Sequence, residues 1–406
     1  MQQHRRPLNI FSHSNLEIAW QDVSKGKRMS RSFGVDGQTI ESFASHKDQN
    51  LRDIRSRVLA GTYKFSLLNA RPIPKPGSTK PRIISVPTVE DRIVQRCILN
   101  FLLKGDRLKV LNPISHGFNR GVGRGVPSAV REAKKYRKTG LWVLKTDISS
   151  FFDKINRDLL FQEIDKKLNK TSIFSLLKSA LDSEINTEDP EIQDIVYQNG
   201  IVVGEGIRQG MPLSPLISNF VLRRFDAAAQ KRSLKIVRYA DDLILFCKDE
   251  PACKDAYLFV EAELRKIRLG VPELSVSGKS VIKSPEESVE FLGFELCGKK
   301  DRYAVRIPKE AYETLSDRLS VYGTFQTAFE KKRTLSRVTQ TIENIVVGYE
   351  RSYDVADSSN HAEFKNYARS KKKATVNSLL KSMFGAEVIN RLSAEHREFL
   401  GFSSDQ

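Results

Sequence analysis

The chain has 406 residues, enough to bury two or three cores, and its 67 lysines and arginines against 49 acidic residues leave a formal net charge of +18. Such an excess commonly marks a chain that lies against a polyanion, with nucleic acid ahead of an anionic membrane because no lipid-facing helix accompanies it; the alternative is a solubilising surface charge. Cys97, Cys247, Cys253 and Cys297 form no CxxC pair, so neither a disulfide framework nor a cysteine zinc site is indicated; no apolar run reaches signal-peptide or membrane-spanning length, so a soluble, cytoplasmic chain without a membrane partner is expected.

The spacing of Leu16, Ile18, Ala19 and Trp20 predicts a helix from Ser14 to Val23, followed by a polar, basic linker from Ser24 to Ser32. Residues 67–87, LLNARPIPKPGSTKPRIISVP, place two extended apolar pieces around a Pro/Gly/Ser turn crowded with Lys75, Lys80 and Arg82, the pattern of a basic hairpin. Helical spacing follows in Val89, Ile93, Val94, Cys97, Ile98, Phe101 and Leu102. Leu141 to Leu144 and Ile236 to Tyr239 are short apolar runs suited to buried strands, and each leads into aspartate. Between them a helical stretch from Arg157 to about Leu181, an acidic loop from Ser183 to Asp194, and a hairpin over IVYQNGIVVG turning at Asn199-Gly200 are expected. Beyond Gly293, Leu335, Val338, Ile342, Ile345, Tyr349 and Tyr353 recur at helical spacing, with basic clusters at Lys331 to Arg333 and Lys371 to Lys373, so a helical C-terminal lobe is expected. No internal repeat or low-complexity segment is evident, which argues against a solenoid.

In VRYADDLILF, Asp241 and Asp242 stand between apolar flanks, as in a tight hairpin displaying two adjacent carboxylates. Like charges in an apolar setting repel and lose hydration unless cations neutralise them; the alternative is an ordinary surface turn. Asp147, in VLKTDISSFFDKI, is a third carboxylate at the end of a separate strand, able to meet the pair across a sheet; the alternative is a helix cap. Magnesium takes oxygen ligands and usually shares them with substrate phosphates, so three carboxylates and a triphosphate suffice for a two-metal site.

An ordered series extends these motifs from about Arg31 to Phe294. It comprises RSFGVDGQTIESF at 31–43, KPGSTKPRIISVPTVEDRIVQ at 75–95, SHGFNRGVG at 115–123, LKTDISSFFDKIN at 144–156, GIRQGMPLSPLISNFVLRRFD at 206–226, YADD at 239–242, SVSGKSVIK at 275–283 and EFLGFEL at 290–296. In this order the segments resemble the reverse transcriptases, in particular the bacterial branch related to group II intron-encoded enzymes. The resemblance implies an α+β right-hand polymerase, with an N-terminal extension at 1–30, fingers at 31–135, a palm with a small antiparallel sheet at 136–300, and a helical thumb or RNA-binding lobe at 301–406.

Carried over by position, the resemblance makes Asp147, Asp241 and Asp242 ligands of two Mg2+ ions, replaceable by Mn2+, with the Ile148 carbonyl a further oxygen. It places Lys75 and Arg82 on the incoming triphosphate, Gln209 and Gly210 beside the nucleotide, and Pro212 to Asn219 at the start of the next palm helix. Lys279 falls near the polyphosphate, where it would protonate pyrophosphate, with a plain surface lysine as the alternative. Phe291, Leu292 and Gly293 match the turn that grips the primer end, with core packing as the alternative, and Lys371, Lys372 and Lys373 would contact nucleic acid. Phe152 matches a bulky ring beneath the sugar of the incoming nucleotide, which would exclude a 2′-hydroxyl; Phe151 would point into the core if the chain is locally extended.

Arg208 stands where a proline is frequent and Met211 where a glycine is frequent, and no Cys/His-rich nuclease module follows. The segment before Lys279 lacks the valine-threonine-glycine signature of retron enzymes. The resemblance therefore implies a stand-alone RNA-directed DNA polymerase that uses dNTPs to copy a structured non-coding RNA into DNA, as domesticated bacterial enzymes do in antiphage defence, with a partner protein or a second copy as possible company. The rival expectations are a group II intron maturase-type RNA-binding protein lacking an endonuclease and a non-catalytic RNA-binding scaffold.

Overall fold

The computed structural model describes residues 10–25, 32–74, 80–119, 123–168, 172–330, 333–393 and 395–396. Its elements are helices and three small sheets, the α+β class expected, and its contacts divide the chain into two compact units. The first comprises Met1–Gly125, Thr146–Leu245 and Lys254–Val281; the second comprises Val126–Lys145, Phe246–Cys253 and Ile282–Gln406.

In the first unit the helix His13–Ser24 is capped by Ser12, whose hydroxyl accepts from the Asn15 amide at 3.3 Å, satisfying one of the end's orphan donors. Its apolar stripe, Leu16, Ala19, Trp20 and Val23, is buried, and the helix packs on Val89–Leu103. That second helix begins at Thr88, whose hydroxyl accepts from the Asp91 amide at 3.1 Å, and buries residues on nearly every face. The expected basic hairpin is present as β1 (Asn69–Ile73) and β2 (Arg82–Val86), antiparallel with Asn69 opposite Val86 and Ile73 opposite Arg82.

The larger sheet consists of β3 (Trp142–Asp147), β4 (Lys235–Tyr239), β5 (Asp242–Cys247) and β6 (Val281–Lys283) in the order β4-β5-β3-β6. Both apolar runs that lead into aspartate are thus strands. The helical stretch from Arg157 is two helices, Arg157–Leu168 and Ser172–Leu181.

The hairpin expected over IVYQNGIVVG is absent, and its first half belongs to the helix Pro190–Gln198. Asp189 caps that helix, accepting from the Glu191 amide at 2.9 Å, and Pro190 fits the first turn, where no amide donor is needed. Ile192, Ile195 and Val196, at helical spacing, pack on Ala70, Ile83 and Ile185. Asn199-Gly200, a hairpin signal in isolation, is the helix's C-terminal exit, with Gly200 at φ +69°.

In the second unit β7 (Val289–Phe291), β8 (Phe294–Leu296) and β9 (Val305–Arg306) form an antiparallel sheet, with Phe291 opposite Phe294 and Leu296 opposite Val305. The expected helical lobe is built from Lys309–Ser320, Leu335–Ser352 and Ser358–Phe384, the middle helix burying Val338, Ile342, Ile345 and Val346. Among the described residues no helix is long and apolar enough to cross a membrane.

Candidate active site

Asp147 closes β3, Ala240 and Asp241 form the turn out of β4, and Asp242 opens β5. The main chain ties the two acidic segments together: the Ile148 amide donates to the Asp241 carbonyl at 3.1 Å, while the Ile148 side chain is buried. Oδ2 of Asp147 accepts from Lys279 Nζ at 2.7 Å, and Oδ1 is buried with no hydrogen-bond partner.

A carboxylate oxygen left in that state costs about 1–3 kcal/mol or more, a cost that a cation at this position would remove. Burial holds the Asp241 carboxyl above the usual carboxylate range and the charge of Asp147 adds to the shift, with Arg82 and Lys279 pulling the other way. Among the described residues no three His, Cys, Asp or Glu side chains are gathered into a self-sufficient metal cluster. The donors that are present, carboxylates with one orphaned oxygen, suit a hard divalent ion that takes its remaining oxygens from phosphate and water, as magnesium does.

Arg82 begins β2 and is exposed, so its guanidinium is accessible as well as electrostatically felt at Asp241. Lys75 lies outside the described residues. The Gln209 carbonyl accepts from the Ser85 amide of β2 at 2.7 Å. Gly210 has φ +109°, and a β-carbon there would lie 2.6 Å from the Ser85 carbonyl oxygen, so the turn is pressed onto the strand as only glycine allows. The Phe152 carbonyl accepts from the Ile207 amide at 2.8 Å, fastening the aromatic segment to the same loop.

Residues Phe151–Lys154 are a helical turn, so strand alternation does not separate the two phenylalanines. Burial does: Phe151 is 2% exposed, whereas Phe152 is half-buried, their ring centroids 5.3 Å apart. Phe291, Leu292, Gly293 and Lys371 to Lys373 belong to the second unit. The Phe291 ring is core, leaving Leu292 (φ +54°) and Gly293 (φ +77°) as the part of the turn that reaches the surface. Lys371 lies over the Tyr367 ring, 5.5 Å from its centroid, Lys372 pairs with Glu343 at 2.7 Å, and Lys373 also has a partner, so this basic cluster is engaged within the chain.

Two ionic groups built on buried arginines escaped the sequence reading. Glu184, in the acidic segment expected to be a plain loop, accepts from Arg157 at 2.7 Å, from the Gly204 amide at 2.9 Å and from Arg208 Nε at 3.1 Å. Burial pushes the Glu184 carboxyl up, but the Gly204 amide and the two guanidiniums outweigh it and hold it below its ordinary value. Arg208, which departs from the family pattern, is therefore a buried guanidinium paired with a half-buried glutamate. The second group is Arg238 with Asp226, both fully buried. Its only sequence signal was a charged residue inside the apolar run of β4, and for Glu184 it was the unmatched arginine in GIRQG.

A family model described as "Reverse transcriptase (RNA-dependent DNA polymerase)" matches residues 73–296, more than half of the chain. The chain is 26% identical over 309 residues to Protein YkfC of Escherichia coli (strain K12), a match spanning 66% of this chain and 77% of that protein. It is 24% identical over 227 residues to the group II intron-encoded protein LtrA of Lactococcus lactis subsp. cremoris, spanning 56% of this chain but only 35% of that protein. Among solved structures, telomerase from Candida albicans with a TWJ fragment of telomeric RNA aligns with a TM-score of 0.44 at 12% identity, covering 87% of this chain and 68% of that one.

Proposed function

The chain belongs to the reverse transcriptase family, and from that premise we propose that Asp147, Asp241 and Asp242 hold two magnesium ions for nucleotidyl transfer, with manganese able to substitute. The activity is that of an RNA-directed DNA polymerase. The observation that carries the metal assignment is the orphaned Oδ1 of Asp147 beside an Asp241 carboxyl whose ionisation burial opposes. Such ions, when bound, activate a 3′-hydroxyl and neutralise charge on the departing pyrophosphate.

The chain's own residues bind and orient. Arg82 offers a fork of donors to the triphosphate from the start of β2, and Lys75 shares that role in the family pattern. Gln209 and Gly210 wall the nucleotide from the loop bonded to that strand, and Phe152 lies under the sugar. The primer's 3′ hydroxyl gives its proton to solvent and its oxygen bonds to the α-phosphorus as the bond to pyrophosphate breaks, and Lys279, which the family pattern sets near the polyphosphate, gives the leaving group a proton.

The template in this reading is a structured non-coding RNA, copied in the bacterial cytoplasm in antiphage defence; the net charge of +18 supports a polyanionic partner. A maturase-type RNA-binding role is the second reading, favoured by the likeness to LtrA. Primer extension by the wild type beside the Asp241→Ala, Asp242→Ala protein separates them, since a maturase-type protein without polymerase activity extends no primer in either form. Synthesis should vanish while RNA binding persists, and extension at the wild-type rate would remove the metal assignment. Sequencing the RNA that co-purifies, together with the DNA made in cells, tests the template.

A further inference from the structure

The turn that carries Asp241 and Asp242 sits in a backbone conformation that must be held there. Ala240 has φ +54°, left-handed and costly by roughly 1–2 kcal/mol for a residue with a β-carbon. Behind it lies Arg238, fully buried, whose Nη1 donates to the Ala240 carbonyl at 3.1 Å and to Asn219 Oδ1 at 3.1 Å. Its Nε donates to Asp226 Oδ1 at 2.7 Å and its Nη2 to Oδ2 at 2.5 Å, a two-pronged pair in which Asp226 is also fully buried. Asn112 donates to the same Asp226 Oδ2 at 2.6 Å.

The flank of the turn is gripped as well. The Arg238 amide donates to the Ile114 carbonyl at 3.0 Å, and the Arg238 carbonyl accepts from the His116 amide at 2.8 Å. Asn219 Nδ2 donates to the Gly117 carbonyl at 3.0 Å. A β-carbon on Gly117 would come 2.5 Å from the Ala240 nitrogen, so residues 115–117 lie flush against the turn.

We propose that Arg238 and Asp226, with Asn219 and Gly117, form a positioning device that presets the Asp241-Asp242 turn to receive divalent cations. The inference rests on the reading of those aspartates as metal ligands. A fully buried ion pair is a poor way to stabilise a core, because desolvation offsets the attraction and an apolar pair would fill the same volume. What an apolar pair could not provide is a rigidly anchored guanidinium with a donor left over for the Ala240 carbonyl. That bond ties the left-handed residue to the interior, so the two carboxylates that follow stay together despite their repulsion. Arg238 and Asp226 touch no substrate and act only through the turn.

The test is Arg238→Lys, which keeps a charge opposite Asp226 but loses the fork. The measurement is Mn2+ binding to the protein without RNA or nucleotide, by electron paramagnetic resonance, beside hydrogen exchange of the metal-free turn. The expected result is Mn2+ affinity lower by about tenfold, within the range that outer-shell changes cost, with faster exchange at Asp242 and Leu243. RNA affinity should hold, and the metal midpoint of primer extension should rise more than the rate at saturating metal falls. Wild-type Mn2+ affinity in a folded Arg238→Lys protein would overturn the proposal. If that variant does not fold, Gly117→Ala presses on the same turn from outside the pair: weakened Mn2+ binding supports the device, and unchanged binding overturns it. Polymerisation by Asp241→Ala, Asp242→Ala would instead sink the underlying metal assignment, so the two failures are distinguishable.

Discussion

The ammonium of Lys279 stands 2.7 Å from Oδ2 of Asp147, a lysine from the segment before β6 placed on the carboxylate that ends β3. It partly neutralises a site in which burial and like charge oppose ionisation, and under the proposed assignment a metal ion would have to share or displace it. With the lysine side chain 64% exposed, the pair contributes about 0.2–1 kcal/mol. Lys279→Met should therefore lower the melting temperature of the metal-free protein slightly and lower the Mg2+ concentration giving half-maximal extension. A higher Mg2+ requirement in the titration would mean that the lysine supports metal binding instead of competing with it.

The raised Asp241 carboxyl gives a pH signature of definite sign. Because its folded pKa lies above the unfolded one, through burial and then Asp147, ionising it costs folding free energy. That cost is absent below the ordinary carboxylate range, grows as pH rises through it, and levels off above the raised folded value. Without metal, Asp241→Asn should accordingly melt higher than wild type at neutral pH, the gain fading as pH falls. Melting curves across a pH series check this; an equal gain at acid pH would trace it to packing rather than charge.

Phe151 and Phe152 should separate stability from sugar selection. Phe151 is 2% exposed, so Phe151→Ala should cost about 3–5 kcal/mol in urea unfolding. Half-buried Phe152 should cost about 1 kcal/mol when truncated, and its loss should admit ribonucleotides. Incorporation of dGTP against GTP on one template decides the matter, since unchanged discrimination in Phe152→Ala removes the gate.

Removing Glu184 would strand two buried guanidiniums, of Arg157 and Arg208. Glu184→Ala should cost about 3–5 kcal/mol, the usual loss when one partner of a buried pair is deleted. Because its carboxyl is held below its ordinary value, the stabilisation is present above the ordinary carboxylate range and is lost as pH falls through the folded pKa. Equal sensitivity of wild type and variant to acid unfolding would show that this glutamate carries little of the loop's stability.

Strands leading into Asp147 and into the Asp241-Asp242 turn were legible because short apolar runs bounded by acid have few other uses, and the basic hairpin because proline and glycine punctuate it. The segment from Ile195 to Gly204 misled because Asn-Gly ends a helix as readily as it turns a hairpin, and only packing on Ala70, Ile83 and Ile185, all outside the segment, decides which. Arg208 could be seen to depart from the family pattern, but its partner Glu184 lies 24 residues away in a segment with no pattern of its own. Ala240's left-handed turn is a tertiary product: nothing in YADD announces Arg238 beneath it.

The bonds that hold the β1–β2 hairpin in place also impose a sequence of events on the ribosome. Leu68 exchanges main-chain hydrogen bonds with Glu184 and Asn186, and Ser85 bonds to Gln209, so the hairpin's neighbours are made long after it. At about 5–20 residues per second, the interval between Ser85 and Gln209 is roughly 6–25 s. During that time the outer edge of the hairpin is unpaired and Ala70 and Ile83 lack the cover later given by Ile192, Ile195 and Val196. The nascent chain therefore carries an open strand edge for seconds, a window in which a chaperone or a neighbouring nascent chain has access to a surface the finished protein no longer presents.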